Sequence, residues 1–136
     1  LLLCLLLIMG VSVFAKDDAP KTITPPEGKA VIYIVRPSGS QGYYRLVNSI
    51  DGVELKSTGG NEFVYLVVDP GKHKVVCKGS TKPSELEVEV EAGKSAYVLQ
   101  QIATPPVGVA VYWCNLSLLT DEKKIAKAMK NSDLSD

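Results

Sequence analysis

From residue 29 onward, apolar positions come in short runs broken by turn residues, which is the pattern of successive strands. Residues 30–36 (AVIYIVR) are apolar on both faces, so they predict a central, buried strand ended by Pro37. A polar loop, 38–42, follows. Runs 43–50 and 53–57 flank Asp51-Gly52, a pair suited to the two positive-φ positions of a type I′ hairpin turn. After a loop at 58–61 comes run 63–68. Asp69-Pro70-Gly71 then predicts a turn, because Pro presets one central φ and Gly permits the next. Runs 73–78, 85–91, 95–103 and 109–116 complete the pattern. The expected fold is all-β: a small antiparallel β-sandwich of about seven to eight strands, immunoglobulin-like or prealbumin-like. The tail changes period. Thr120 can cap a helix over 121–130, with Asp121 and Glu122 at its start and Lys124, Lys127 and Lys130 toward its end. Ile125 and Met129 share the face expected to pack.

One hairpin carries more detail. Glu85, Glu87, Glu89 and Glu91 alternate with Leu86, Val88 and Val90, while Lys72, Lys74 and Lys78 alternate with His73, Val75 and Cys77. A symmetric register through loop 79–84 sets Lys78 opposite Glu85, Lys74 opposite Glu89 and Lys72 opposite Glu91. It also sets Cys77 opposite Leu86 and Val75 opposite Val88. Calcium needs converging oxygens, and a strand spreads its carboxylates too far apart. The glutamate stripe therefore reads as a solvated face.

Residues 1–15 (LLLCLLLIMGVSVFA) carry no charge and fall short of the roughly 18 apolar residues of a membrane span. They read as the hydrophobic region of a signal peptide, with cleavage expected after Ala15 because Val13 and Ala15 are small enough for the peptidase. With no initiator methionine and no basic leader, residues are expected to be missing before Leu1. Leu3 is too large for a lipobox, so Cys4 is not expected to be acylated, and a lipid-anchored form is the less favoured reading. Residues 16–27, with Pro20, Pro25 and Pro26, read as a flexible or extended leader; residues 28–136 read as one domain.

The chain has 136 residues, with 15 Lys+Arg against 15 Asp+Glu, which gives no electrostatic footprint of a nucleic-acid binder. Cys77 and Cys114 remain after cleavage. In an exported chain they suggest a disulfide, with two buried thiols as the alternative. His73 is the one histidine, so a multi-histidine metal site lacks ligands, and a Ser or Cys nucleophile would have only His73 as its base. It is expected to be a strand-end packing or surface residue. No nucleophile elbow, phosphate loop or dinucleotide fingerprint occurs, and neither a cofactor nor a metal is expected. Tyr43 and Tyr44, at a strand–loop junction, are candidates for a binding surface, although Tyr44 could equally be core. Loop 104–108 (TPPVG) reads as a stiff connector. The sequon Asn115-Leu116-Ser117 reads as coincidence at the end of a buried strand.

GKAVIYIVRP, the DG hairpin, NEFVYLVVDPGKHKV and VEAGKSAYV occur in this order over 28–130, and the whole resembles the bacterial domain of unknown function 2846 family. The resemblance implies a small exported β-sandwich, in a family where many members look like lipoproteins. It carries over no catalytic residue, and it makes Gly71 and His73 turn residues that mark the fold. The expected function is an exported, non-enzymatic module of the cell envelope, periplasmic or extracellular. It would bind a protein or glycan and meet the membrane only during export unless acylated. A carrier of a small apolar ligand held between the sheets is the alternative. An unrecognised hydrolase, marked by carboxylates converging in a cleft, is a third reading.

Overall fold

The computed structural model describes residues 21–39, 41–106 and 111–135. The proposed signal segment, Cys4 and the Ala15 cleavage site lie outside the described residues. The strands are β1 (Ala30–Arg36), β2 (Val47–Ile50), β3 (Val53–Glu54), β4 (Glu62–Val68), β5 (Gly71–Lys78), β6 (Ser84–Val90), β7 (Ser95–Ala103), β8 (Trp113–Leu119) and β9 (Asp133–Leu134). A single helix, α1 (Glu122–Lys130), lies between β8 and β9.

They form two sheets, in the orders β8-β7-β1-β4-β9 and β3-β2-β5-β6. Ile32 and Ile34 of β1 meet Ile50, Val75, Val88 and Val98 between the sheets. The fold is thus the expected small all-β sandwich with one short helix. The pairing is not wholly antiparallel, however: β1 runs parallel to β7 and β4 parallel to β9. Parallel neighbours need a long crossover, and the chain makes it by visiting the other sheet between β1 and β7.

Every residue of β1 is buried because the larger sheet is covered twice. Its odd positions, Val31, Tyr33 and Val35, pack with Phe63 under Ala128 and Met129 of α1. Ile125 packs there too, so the helix docks by the face that its spacing predicts. Asp121 caps it, not Thr120: the Asp121 carboxylate accepts from the Lys123 and Lys124 N–H at 2.9 and 3.2 Å. The leader, expected to be flexible or extended, is tied down over its described part. Lys21 Nζ donates to the carbonyls of Met129, Lys130 and Ser132 at the end of α1, at 3.1, 3.0 and 2.6 Å. The Ile23 N–H donates to the Tyr33 hydroxyl at 2.9 Å.

Asp51 (φ 50°) and Gly52 (φ 80°) make the turn between β2 and β3 with both central residues at positive φ, as the Asp-Gly pair predicts. Several strand boundaries differ from the sequence pattern. Residues 43–45 do not join β2, with the Gln41 and Tyr44 carbonyls spent on Arg36, and Leu46 forms an isolated antiparallel bridge with Thr58. β3 stops at Glu54, short of Ser57. β8 begins at Trp113 because the Tyr112 N–H and carbonyl both go to Ser80, while residues 107–110 lie outside the described set.

The β5–β6 register keeps the predicted faces but slips by two residues, with Lys74 opposite Glu87 and Val75 opposite Leu86. The connecting loop is not free to centre itself. Ser80 is bonded to Tyr112, Cys77 is bridged to Cys114, and the Ser84 hydroxyl donates to the Cys114 carbonyl. The ion pairs are diagonal, Lys72–Glu87 at 3.8 Å and Lys74–Glu85 at 3.5 Å.

Candidate functional site

Alternation along β1 puts Arg36 on the same face as Ala30, Ile32 and Ile34, pointing between the sheets. The side chain is 1% exposed. A buried guanidinium must find acceptors, and this one takes two from the loop beyond β1 and one from the segment between β3 and β4. Nη1 donates to the carbonyls of Tyr44 at 2.5 Å and Thr58 at 3.1 Å, and Nη2 to that of Gln41 at 2.9 Å. Burial and the Arg45 guanidinium push Arg36 below its ordinary pKa, and Glu62 offsets part of this.

That loop carries Tyr43 and Tyr44. Their ring centroids are 4.3 Å apart, and Tyr44 lies 4.5 Å from Tyr112. Tyr43 is 78% exposed while Tyr44 is half-buried, which settles the choice between core and surface for Tyr44 as an intermediate one. The Tyr44 phenol hydrogen-bonds that of Tyr43 and raises its pKa. Arg45 closes one side: it is 2.9 Å from Glu62, and its guanidinium donates to the Ser57 carbonyl at 2.8 Å.

Tyr112 comes from the other side of the chain and is held separately. Ser80 bonds both its N–H and its carbonyl, and its hydroxyl donates to the Arg45 carbonyl at 3.3 Å. A Cβ at Gly79 would lie 2.5 Å from the Tyr112 carbonyl, so the approach requires glycine. Two residues on, Cys114 is disulfide-bonded to Cys77, and both are fully buried. Beneath them Gln100 Nε2 donates to Asn48 Oδ1 at 2.5 Å and to Cys77 Sγ at 2.9 Å, and Thr58 Oγ1 donates to Gln100 Oε1. Tyr112 thus packs against Leu46 and the disulfide, and Cys77 joins the disulfide to the buried polar groups.

Sequence reasoning singles out Tyr43, Tyr44, Cys77 and Cys114, and all four lie at this end. It missed Tyr112, Arg36 and Gln100. For the last two the signal was there: each falls on the inward phase of an otherwise apolar strand. Tyr112 had no such signal, because only the fold brings it to residue 44.

His73 lies at the opposite end. Its Nδ1 is 2.5 Å from Asp51 Oδ2, and its Nε2 is 2.6 Å from the Asp69 carbonyl. Burial alone would lower its pKa, but these bonds from Asp51 and Asp69 outweigh it and raise the value. Asp51 is held below its ordinary value by the Lys74 N–H and by His73; Asp69 is lowered by the Lys29 ammonium bonded to it. With both nitrogens engaged, the ring fastens two turns together. Glu85, Glu87 and Glu89 are exposed on the outer face of β6. Asn115 is exposed too, unlike the buried strand end expected at the sequon. Among the described residues no three His, Cys, Asp or Glu side chains are grouped to hold a metal ion, and no helix is long and apolar enough to cross a membrane.

A family model described as "Protein of unknown function (DUF2846)" matches residues 26–112, from the turn before β1 to Tyr112. An uncharacterized protein of Haemophilus influenzae is 25% identical over 112 residues, which is 82% of this chain and 65% of that protein. The chain therefore spans less than two thirds of the relative's length. No solved structure matches. With more than half of its residues under the family model, the chain belongs to the family of Protein of unknown function (DUF2846).

Proposed function

We propose that this chain is an exported, non-enzymatic binding module of the cell envelope that engages a partner protein through Tyr43, Tyr44 and Tyr112. The observation that carries the reading is the use of Arg36: a buried cation is committed to holding the loop that presents an exposed Tyr43 beside a half-buried Tyr44. Rigid tyrosines offer large contact area at little entropic cost, and a preformed surface loses less on binding. The rings are tilted by 43° and 31° to one another, so they offer no single plane for a sugar ring; this favours a protein over a glycan. Export is supported by the apolar stretch at 1–15 and by the disulfide. The non-enzymatic reading is supported by the exposed glutamate stripe, which does not converge, and by a histidine with both nitrogens taken. Aliphatic side chains fill the space between the sheets, which weighs against an apolar ligand carried there.

The test places a photo-crosslinking phenylalanine analogue at position 43 in cells of the source. A discrete protein adduct, lost when Tyr112 is changed to Ser, supports the reading; a glycan adduct, or none, overturns it. The intact mass of the chain recovered from the envelope tests export. The expected result is an N-terminus at Lys16 with Cys77 and Cys114 oxidised to a disulfide.

A further inference from the structure

The two sheets end in four edge strands, and they are not alike. β3 and β9 have two residues each. β6 projects Glu85, Glu87 and Glu89, charges of the kind that discourage pairing. β8 is seven residues long (WCNLSLL), with neither charge nor proline. Among the described residues it pairs with β7 alone. A long uncharged edge is a template for another strand unless something covers it.

β6 and β8 run side by side along this edge of the sandwich. At one end they are stapled, by the Cys77–Cys114 bridge and by the Ser84 hydroxyl on the Cys114 carbonyl. At the other they part, and a groove of about 860 Å³ opens between them and α1. Val90, Tyr97, Leu118 and Leu119 line it, with Ile125 and Met129 on the helix side. Leu118 is 47% exposed. Glu89, Glu91 and Glu122 also line the groove, against one cation, Lys94. None of these three carboxylates takes part in an ion pair among the described residues.

We propose that β8 accepts an extended segment of a partner protein as a sixth strand of the larger sheet. Alternate apolar side chains of that segment enter the groove, and Lys or Arg side chains meet Glu89, Glu91 and Glu122. This edge does not need the tyrosine surface, and the two are tested apart.

The probe is a nine-residue peptide, KVTVKVTVK, titrated into the isotopically labelled full chain while backbone amide signals are followed. Comparison peptides replace Lys by Glu, or carry N-methyl groups at every second residue in one phase or the other. The expected result is shifts along β8 and the groove, with the acidic peptide weaker by about tenfold or more. One N-methyl phase binds and the other fails, because only one edge of an added strand donates to β8. Glu91→Gln combined with Glu122→Gln weakens the basic peptide without lowering the melting temperature, and Tyr43→Ala leaves binding unchanged. Leu118→Lys is a second blocking variant, with its fold checked by circular dichroism. Four outcomes overturn the proposal: no shift at β8, equal binding of basic and acidic peptides, indifference to both N-methyl phases, or β8 shifts that track self-association of the chain.

Discussion

Each end of the sandwich places a cationic side chain against backbone carbonyls, yet the two serve different ends. At the tyrosine end Arg36 is permanently charged, 1% exposed, and bonded to three carbonyls of one region. At the turn end His73 titrates, and it joins the β2–β3 turn at Asp51 to the β4–β5 turn at Asp69. An arginine stays charged across the ordinary pH range, so the carbonyls that Arg36 holds keep their donor there. A histidine makes the joint it forms conditional.

The largest expected effect breaks the tyrosine end at its staple. Cys77 and Cys114 are 37 residues apart, and for a loop of that length removing the bridge by double substitution to Ser costs about 4 kcal/mol of unfolding free energy, read by denaturant titration. The amide signals around Tyr112 should move more than those around His73. Next, Arg36→Met leaves the Gln41 and Tyr44 carbonyls without their donor and costs about 3 kcal/mol. Its diagnostic is raised hydrogen exchange in residues 41–46 with the turn end unchanged; equal loosening at both ends would break the comparison.

The third prediction sharpens it. His73 has a raised pKa when folded, so its contribution is complete below its ordinary value of 6.5 and is lost as pH rises through the higher folded value. Asp51 has a lowered pKa, so its contribution is present above its ordinary 3.8 and is lost as pH falls through the lower folded value. Stability from this joint should therefore peak between those two ordinary values. Melting temperature against pH should show an alkaline decline that His73→Gln abolishes and Arg36→Met does not. The smallest effect concerns the hairpin between the ends. A double-mutant cycle on Lys74 and Glu85 should give a coupling of a few tenths of a kcal/mol, and one on Lys74 and Glu89 none. The reverse would restore the symmetric register.

Features set by neighbouring residues were legible beforehand. Both faces of β1 are apolar because both are covered, and Asp51-Gly52 makes its turn because only residues tolerant of positive φ can. Features set by distant partners were not legible. The β5–β6 slip follows from Ser80 and Cys77 being held by Tyr112 and Cys114, more than 30 positions away. The candidate surface was half legible for the same reason: adjacency in the chain reveals Tyr43 and Tyr44, while Tyr112 joins them only through the fold. Arg36 and Gln100 were legible in phase but not in purpose. Alternation says that a side chain points inward, and only the loop geometry says what it holds.

Lys21 gives the fold a mechanical layout. Its ammonium grips three carbonyls at the end of α1, ahead of the point where the chain enters β1. A pull from the N-terminal side is therefore borne first by that grip and the helix, then by the Ile23–Tyr33 bond, and only afterwards by the central strand. The outer layer acts as a strain relief. Tension on a tether would peel the leader and α1 while both sheets stay in place.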